Sequence, residues 1–136
     1  ATRHRKLTGS ENSLILANLQ FVGEYVRTHL HPQTLWIRTP IIPGATATRS
    51  NIGGIGQFLA DHLGATVNRW ELCTFNNLCA DKYQRLGMTW PFKDTALITT
   101  DRIEELTAIA KNSGVDPAIV HWSGSTRLES EAVSNV

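Results

Sequence analysis

The sequence contains little cysteine: there are two in 136 residues. Cys73 and Cys79 are too few for the disulfide framework that small secreted domains use. They are also one thiolate short of even a three-ligand iron–sulfur site. We therefore expect two reduced, partly buried thiols, since free cysteine is among the most buried residue types.

A strong excess of charge and long apolar runs are also absent. The chain has 13 basic and 12 acidic side chains, a formal charge of +1, which creates no field that would attract nucleic acid or membrane lipid. No stretch approaches the about 20 apolar residues that span a bilayer. The opening "ATRHRKLTGS" has no apolar core of the secretory kind. These absences predict a cytoplasmic protein without a nucleic-acid or membrane partner.

What the chain does contain is an alternation of helical and extended patterns. Apolar residues at helical spacing predict helices over 10–30, over 50–63 and from Thr99 or Thr100 onward. Extended runs predict strands at 34–42, 66–75 and 118–124. Because strands that alternate with helices of this length favour parallel pairing with right-handed crossovers, the predicted fold class is α/β.

Turn and capping residues set the expected boundaries. Thr8 with Glu11 three positions later predicts a capping box, Ser50 is placed to cap the second helix, and Gly64 is placed to end it. The segment 76–96 is predicted to be irregular or weakly helical. We expect one α/β domain over residues 1–126, followed by a polar, frayed tail at 127–136.

The first predicted strand, "TLWIRTPII", carries an arginine in an otherwise apolar run. Its alternating residues are largely apolar on both sides, which predicts a strand covered on both faces. A buried guanidinium costs several kcal/mol unless it is paired, so Arg38 should meet a partner. One alternative is an anionic ligand near the carboxyl end of the strand, where parallel sheets open their ligand crevices. The other is a structural ion pair with an acidic residue such as Glu71 on the next strand.

The second predicted strand ends in two carboxamides, Asn76 and Asn77. A carboxamide at this point can offer a donor and an acceptor to a base or ribose. It can equally close a turn, and the turn is the favoured interpretation. The stretch "GGIG" at 53–56 lacks the spacing of a dinucleotide loop, and His29 and His31 have no nearby cluster that would complete a metal site.

Three segments together carry a family resemblance: "HRKLTGSENSLILANL", "WIRTPIIPG" and "RWELCTFNNLCADKYQRLG". They resemble the C-terminal part of a radical S-adenosylmethionine enzyme of the glycyl-radical-enzyme activating family, the pyruvate formate-lyase activating type. The first segment matches the family's H-x-x-L-x-G-x-x-N pattern at His4, Leu7, Gly9 and Asn12. The match runs through most of residues 4–92 and loosely beyond.

This resemblance implies half of an incomplete parallel (β/α) barrel, with about three strands and three main helices. It implies S-adenosylmethionine and a [4Fe-4S] cluster as cofactors, and a glycyl radical enzyme and an electron donor as partners. Arg38 would pair with a ligand carboxylate or brace the substrate's glycyl loop, while Pro40 and Asn76 would border the adenosyl group. In part of the family the position of Asn76 is histidine. No catalytic residue and no metal ligand is assigned to this chain.

The family's C-x-x-x-C-x-x-C loop and its glycine-rich turn do not occur in this sequence. We therefore expect the chain alone to be unable to bind the cluster and to be inactive. The leading hypothesis is a fragment or split half of an activating enzyme. The alternative is a non-catalytic interaction module that retains the half-barrel. In either case the unpaired edge of the first strand should recruit the missing N-terminal half or a second copy.

Overall fold

The computed structural model describes residues 2–128, which form three strands and five α-helices. The strands are β1 (Trp36–Ile41), β2 (Arg69–Thr74) and β3 (Val120–Ser123). The helices are α1 (Thr2–Thr8), α2 (Ser13–Thr28), α3 (Arg49–His62), α4 (Ala80–Arg85) and α5 (Thr100–Lys111). The α/β class and the three predicted strands are confirmed. The predicted frayed tail lies outside the described residues from position 129 onward.

The three strands form one parallel sheet in the order β1-β2-β3. Arg38 lies opposite Glu71, and Glu71 lies opposite His121 on the third strand. Strands that follow one another in the chain are also neighbours in the sheet, with α3 in the first crossover and α5 in the second. Right-handed crossovers in this sequential order place their helices on the same face of the sheet. The predicted parallel pairing is therefore confirmed.

One face of the sheet packs beneath these helices and forms the hydrophobic core. Its buried side chains come from all three strands and from α3 and α5, and they include Ile41, Ile52, Leu59, Trp70, Leu72, Ile103, Leu106 and Val120. Leu19 of α2 packs against the same cluster. The indole Nε1 of Trp70 donates a hydrogen bond to Oγ1 of Thr39 at 3.0 Å, so both buried polar groups are paired.

The opposite face is open, and this corrects the expectation that the first strand is covered on both sides. Trp36, Arg38 and Pro40 are exposed, whereas Thr39 and Ile41 between and beyond them are buried. The cause is the strand order, which sends both crossover helices to the same face. We call the uncovered side the open face; it consists of Trp36, Arg38, Pro40, Arg69, Glu71, Cys73, His121 and Ser123.

The ends of α3 and α5 follow local capping chemistry. Thr99 caps α5 and accepts a hydrogen bond from a backbone N–H of its first turn, as predicted. Gly64 follows the end of α3 with a positive φ of 51°, the left-handed conformation that favours glycine after a helix. The N-cap of α3 is Thr48 rather than the predicted Ser50, because Thr48 has the extended backbone of an N-cap and Ser50 already lies in the helix.

The predicted helix over 10–30 is shorter and is preceded by a separate one. α1 ends at Thr8, and Gly9 reverses the chain with φ of 78°. The capping box predicted for Thr8 and Glu11 is wrong. Thr8 donates its hydroxyl to the carbonyl of His4 at 2.9 Å within α1, and the N-cap residue of α2 is Asn12.

The long connection after β2 is irregular apart from the six residues of α4, as expected. Aromatic contacts hold it against the end of the strand: the ring centroids of Phe75 and Trp90 are 5.7 Å apart, and those of Tyr83 and Trp90 are 5.9 Å apart. Over residues 2–128, none of the helices has the length and apolar content that crossing a membrane requires.

Candidate functional site

The candidate site is the open face, where parallel register brings polar side chains together. Side chains alternate along each strand, so residues paired with Arg38 point to the same side of the sheet. Glu71 lies next to Arg38 in the register and next to His121 on its other side. Two residues further along the strands, Pro40 lies opposite Cys73. The sheet therefore places two predicted site residues, Arg38 and Pro40, on one surface.

The carboxylate of Glu71 lies between two guanidinium groups. Nε of Arg38 is 2.9 Å from Oε2, and Nη2 of Arg69 donates a hydrogen bond to Oε1 at 3.1 Å. Glu71 is only 6% exposed. The hydrogen bond from Arg69 is the main reason why the pKa of Glu71 is lowered; the positive charge of Arg38 adds to it, and burial partly offsets both. The carboxylate is thus kept charged in a buried position.

The ion pair with Glu71 was one of the two alternatives for Arg38, and it is observed. The Arg38 side chain nevertheless remains 65% exposed. Its guanidinium donates no hydrogen bond that meets standard geometry to any residue in the range 2–128. A guanidinium has five N–H donors, so the ion pair leaves it able to bind a further anion.

Arg69 was missed by the sequence analysis. Its Cζ lies 5.3 Å from the ring centroid of Trp36, a cation–π contact, and its side chain is 30% exposed. Its Nε is buried without a hydrogen-bond partner in the described part of the chain. The signal was available in the alternation of Arg69, Glu71 and Cys73 along β2, which sends all three to the same face.

A pocket of about 530 Å³ opens beside the carboxyl end of β1. Pro40 and Ile42 line it from the strand side, and His4, Leu7 and Asn12 line it from the N-terminal segment. This volume lies within the usual range for small-molecule sites. The structure therefore brings Pro40 together with three of the four residues that matched the H-x-x-L-x-G-x-x-N pattern.

Asn76 lies just beyond β2 and is exposed. Its Oδ1 accepts a hydrogen bond from the backbone N–H of Leu78 at 3.2 Å, so it closes a turn, which confirms the favoured interpretation. It does not line the pocket beside Pro40. Its side-chain NH₂ group remains a donor that this turn does not use.

The two cysteines differ in environment. Cys73 is half-buried on the open face, and Cys79 is exposed immediately before α4. Burial raises the pKa of the Cys73 thiol, and the negative charge of Glu71 raises it further. No group of three or more His, Cys, Asp or Glu side chains that could hold a metal ion is present within residues 2–128. Neither Cys73 nor Cys79 belongs to such a group in this part of the chain.

No family model matches the chain. It is similar to the indoleacetate decarboxylase activating enzyme of Tractidigestivibacter scatoligenes, with 33% identity over 112 residues, 82% of this chain and 33% of that enzyme. The (2S)-3-sulfopropanediol sulfolyase activating enzyme of Bilophila wadsworthia is 34% identical over 87 residues, 64% of this chain and 26% of that enzyme. The pyruvate formate-lyase-activating enzyme of Streptococcus mutans is 24% identical over 101 residues, 74% of this chain and 35% of that enzyme.

The chain spans about a third of the length of these relatives. The relatives are glycyl-radical-enzyme activating enzymes, and the similarity to them confirms the resemblance predicted from the three motif segments. Over most of its length, the chain is thus a relative of the glycyl-radical-enzyme activating enzymes.

Proposed function

We propose that the chain forms one wall of the active-site cavity in a glycyl-radical-enzyme activating enzyme, as half of an incomplete parallel (β/α) barrel. The complete enzyme would use S-adenosylmethionine and a [4Fe-4S] cluster to generate a glycyl radical on a partner enzyme. The cluster ligands and the remaining strands would come from residues outside this chain. The similarity of most of the chain to about a third of each activating enzyme supports this proposal.

The observation that carries the proposal is a polar, uncovered face on a parallel sheet. Parallel sheets are normally covered on both faces, and in a (β/α) barrel the second face lines the interior while the helices lie outside. Here α3 and α5 pack on one face, and Arg38, Glu71 and His121 lie on the other. A doubly wound sheet would place helices on both faces. The sequential strand order therefore supports a barrel wall.

The described residues fit S-adenosylmethionine better than they fit the cluster. Arg38 has N–H donors available for a carboxylate, and the pocket beside Pro40 has the volume of a small-molecule site. S-adenosylmethionine would supply the hydrogen-abstracting chemistry of the complete enzyme. A [4Fe-4S] cluster is held by several thiolates, whereas the sequence has two cysteines.

The contribution of this chain would be binding, orientation and the exclusion of water. Arg38 would hold a ligand carboxylate or brace the glycyl loop of the partner. The backbone at Pro40 would border the adenosyl group, and Asn76 would offer the NH₂ group that its turn leaves unused. The chain itself would break no bond.

Calorimetric titration with S-adenosylmethionine tests this function. The wild-type chain is expected to bind, and Arg38→Ala should weaken binding by about 10-fold or more, the usual effect of removing a charged hydrogen bond. Arg27→Ala is a matched control, because Arg27 is an exposed arginine on α2 that pairs with Glu24. Equal binding by the wild type and Arg38→Ala would remove Arg38 from the site, and absence of binding by the wild type would overturn the proposed function.

A second candidate is a non-catalytic interaction module, and exposed apolar side chains favour it. Leu14, Phe21 and Leu30 are 70%, 69% and 82% exposed. Within residues 2–128, β1 pairs with β2 alone, so its other edge is open. An open strand edge and exposed apolar side chains invite a missing half or a second copy. Light scattering that shows self-association without S-adenosylmethionine binding would favour this candidate, whereas a stable monomer that binds the cofactor would contradict it.

A further inference from the structure

The outer edge of β1, which faces away from β2, is closed at its carboxyl end by a side chain. The carbonyls of Leu35 and Ile41 accept hydrogen bonds at 2.9 and 3.1 Å from the chain at either end of β2. Backbone groups point alternately to the two edges of a strand, so the carbonyl of Pro40 and the N–H of Ile42 point to the outer edge. Oγ1 of Thr46 accepts a hydrogen bond from that N–H at 2.8 Å and donates one to that carbonyl at 2.5 Å. The Thr46 hydroxyl therefore bonds the two groups that one residue of a neighbouring parallel strand would bond.

Pro40 closes the same part of the edge in a second way. Proline has no backbone N–H and occurs in sheets where no ladder hydrogen bond is needed from that position. Within residues 2–128, β1 pairs with β2 alone, so its outer edge is free to receive another strand. Because the N–H of Ile42 is bonded to Thr46, such a strand meets no free backbone donor of β1 beyond Arg38.

We propose that Thr46 is a positioning residue that closes the outer edge of β1 and keeps the cavity beside Pro40 free for the adenosyl group of the ligand. This inference rests on the proposed function and adds a residue that shapes the site. The cavity of about 530 Å³ is lined by Pro40, Ile42 and Thr46, and by His4 and Leu7 of α1. Adjacent strands lie about 4.8 Å apart, so a strand paired as far as Ile42 would fill this space.

Thr46 can hold the edge because its own backbone is fixed on both sides. Its N–H donates a hydrogen bond to the carbonyl of Ile42 at 2.9 Å. Its carbonyl accepts a hydrogen bond from Nδ2 of Asn51 at 3.1 Å, and Asn51 lies in the first turn of α3. Gly44, with φ of 75°, makes the turn that brings Thr46 back to the strand. The hydroxyl therefore reaches the strand end from a support that both β1 and α3 hold in place.

Hydrogen exchange of the Ile42 amide, followed by NMR spectroscopy, tests the bond itself. Thr46→Val removes the hydroxyl at nearly constant shape and should speed this exchange about 5-fold or more. Thr46→Ser keeps the hydroxyl and should stay within about 2-fold of the wild type. Thr28→Val is the matched control, because the Thr28 hydroxyl bonds the carbonyl of Glu24 within α2, and it should leave the Ile42 amide unchanged.

Calorimetric titration with S-adenosylmethionine tests the effect on the ligand. Thr46→Val should weaken binding about 5-fold, since the unpaired strand end no longer keeps its shape, whereas Thr46→Ser and Thr28→Val should bind within about 2-fold of the wild type. Circular dichroism verifies that each variant is folded. If Thr46→Val does not fold, Thr46→Ala replaces it, with the same expected losses.

Each outcome bears on a distinct claim. Unchanged exchange of the Ile42 amide in the variant without the hydroxyl would show that Thr46 does not close the edge. Faster exchange with unchanged affinity, or equal loss of affinity in Thr46→Ser, would overturn the positioning role and leave the proposed function in place. Absence of binding by the wild type would overturn the proposed function and this inference with it.

Discussion

The two faces of the sheet are built from the same three strands but differ in chemistry. On the covered face, Trp70 and Leu72 are completely buried beneath the helices. On the open face, Glu71 joins two arginines, and His121 is exposed beside it. Adjacent residues of β2 thus serve opposite purposes, since one side stabilises the fold and the other presents charge. This difference implies that stability and ligand binding can be altered separately.

The largest expected effect is on the covered face. Leu72→Ala should lower the free energy of unfolding by about 2–5 kcal/mol, because it removes a fully buried side chain and leaves a cavity. His121→Ala on the open face should change it by no more than about 0.5 kcal/mol, because His121 is exposed. Urea denaturation followed by circular dichroism measures both. Similar losses in the two variants would contradict the division between the faces.

A smaller effect should distinguish two glycines of α3. A Cβ added at Gly56 would lie 1.7 Å from Oγ and 2.5 Å from Cβ of Ser113, so Gly56→Ala should destabilise the protein by about 1–3 kcal/mol. A Cβ at Gly54 would meet nothing within 4 Å, so Gly54→Ala should stabilise it by about 0.5–1 kcal/mol. Thermal unfolding compares the two. If the unfolding temperature changed in the same direction in both variants, the covered side would pack less tightly around Gly56 than described.

On the open face, the expected effect depends on pH. Because the folded-state pKa of Glu71 is lower than its ordinary value, its contribution to stability is present above about pH 4.3 and is lost as the pH falls through the lower, folded-state pKa. Wild type should therefore be more stable than Glu71→Gln at neutral pH, and the gap should narrow under acid. Urea denaturation between pH 7 and pH 3 measures this difference in the free energy of unfolding. A constant gap would mean that the charge of Glu71 adds no stability.

The smallest effect concerns reactivity rather than stability. Cys79 is exposed, whereas Cys73 is half-buried on the open face with a raised pKa. Iodoacetamide at pH 8 should therefore modify Cys79 first, because the thiolate is the reactive form. Mass spectrometry of proteolytic fragments measures the order. After unfolding in guanidinium chloride the two rates should converge, and equal rates in the folded protein would contradict the burial of Cys73.

Local signals in the sequence were enough to predict the strands and two helix ends, the start of α5 and the end of α3. Thr99 and Gly64 act through their own backbone and side-chain chemistry, so their roles can be predicted from short segments. Which faces of the sheet the helices cover could not be predicted in the same way. Trp36 and Pro40 are apolar, and such residues on a strand suggest burial whichever side the helices occupy. The strand order decides the matter, and it is a property of the whole chain.

The site was predictable to a similar extent. The pairing of Arg38 with Glu71 was one of two alternatives left open by the sequence, and the turn at Asn76 followed from the residue type. The pocket beside Pro40 could not be predicted, because it depends on α1, the separate helix that ends before Gly9. The predicted helix over 10–30 begins after Gly9, and no helix was predicted before it. Whether Arg38, Pro40 and Asn76 bind a cofactor remains a prediction.

The hydrogen bond between Trp70 and Thr39 joins β1 to β2 from within the core. If β1 slipped by one residue relative to β2, its buried side chains would turn to the open face. The Trp70 indole N–H and the Thr39 hydroxyl would then both lose their hydrogen-bond partner. Interior residues therefore fix the strand alignment independently of any particular ligand. Evolution could then replace the exposed side chains one at a time to suit a new ligand, while the underlying frame stays in place.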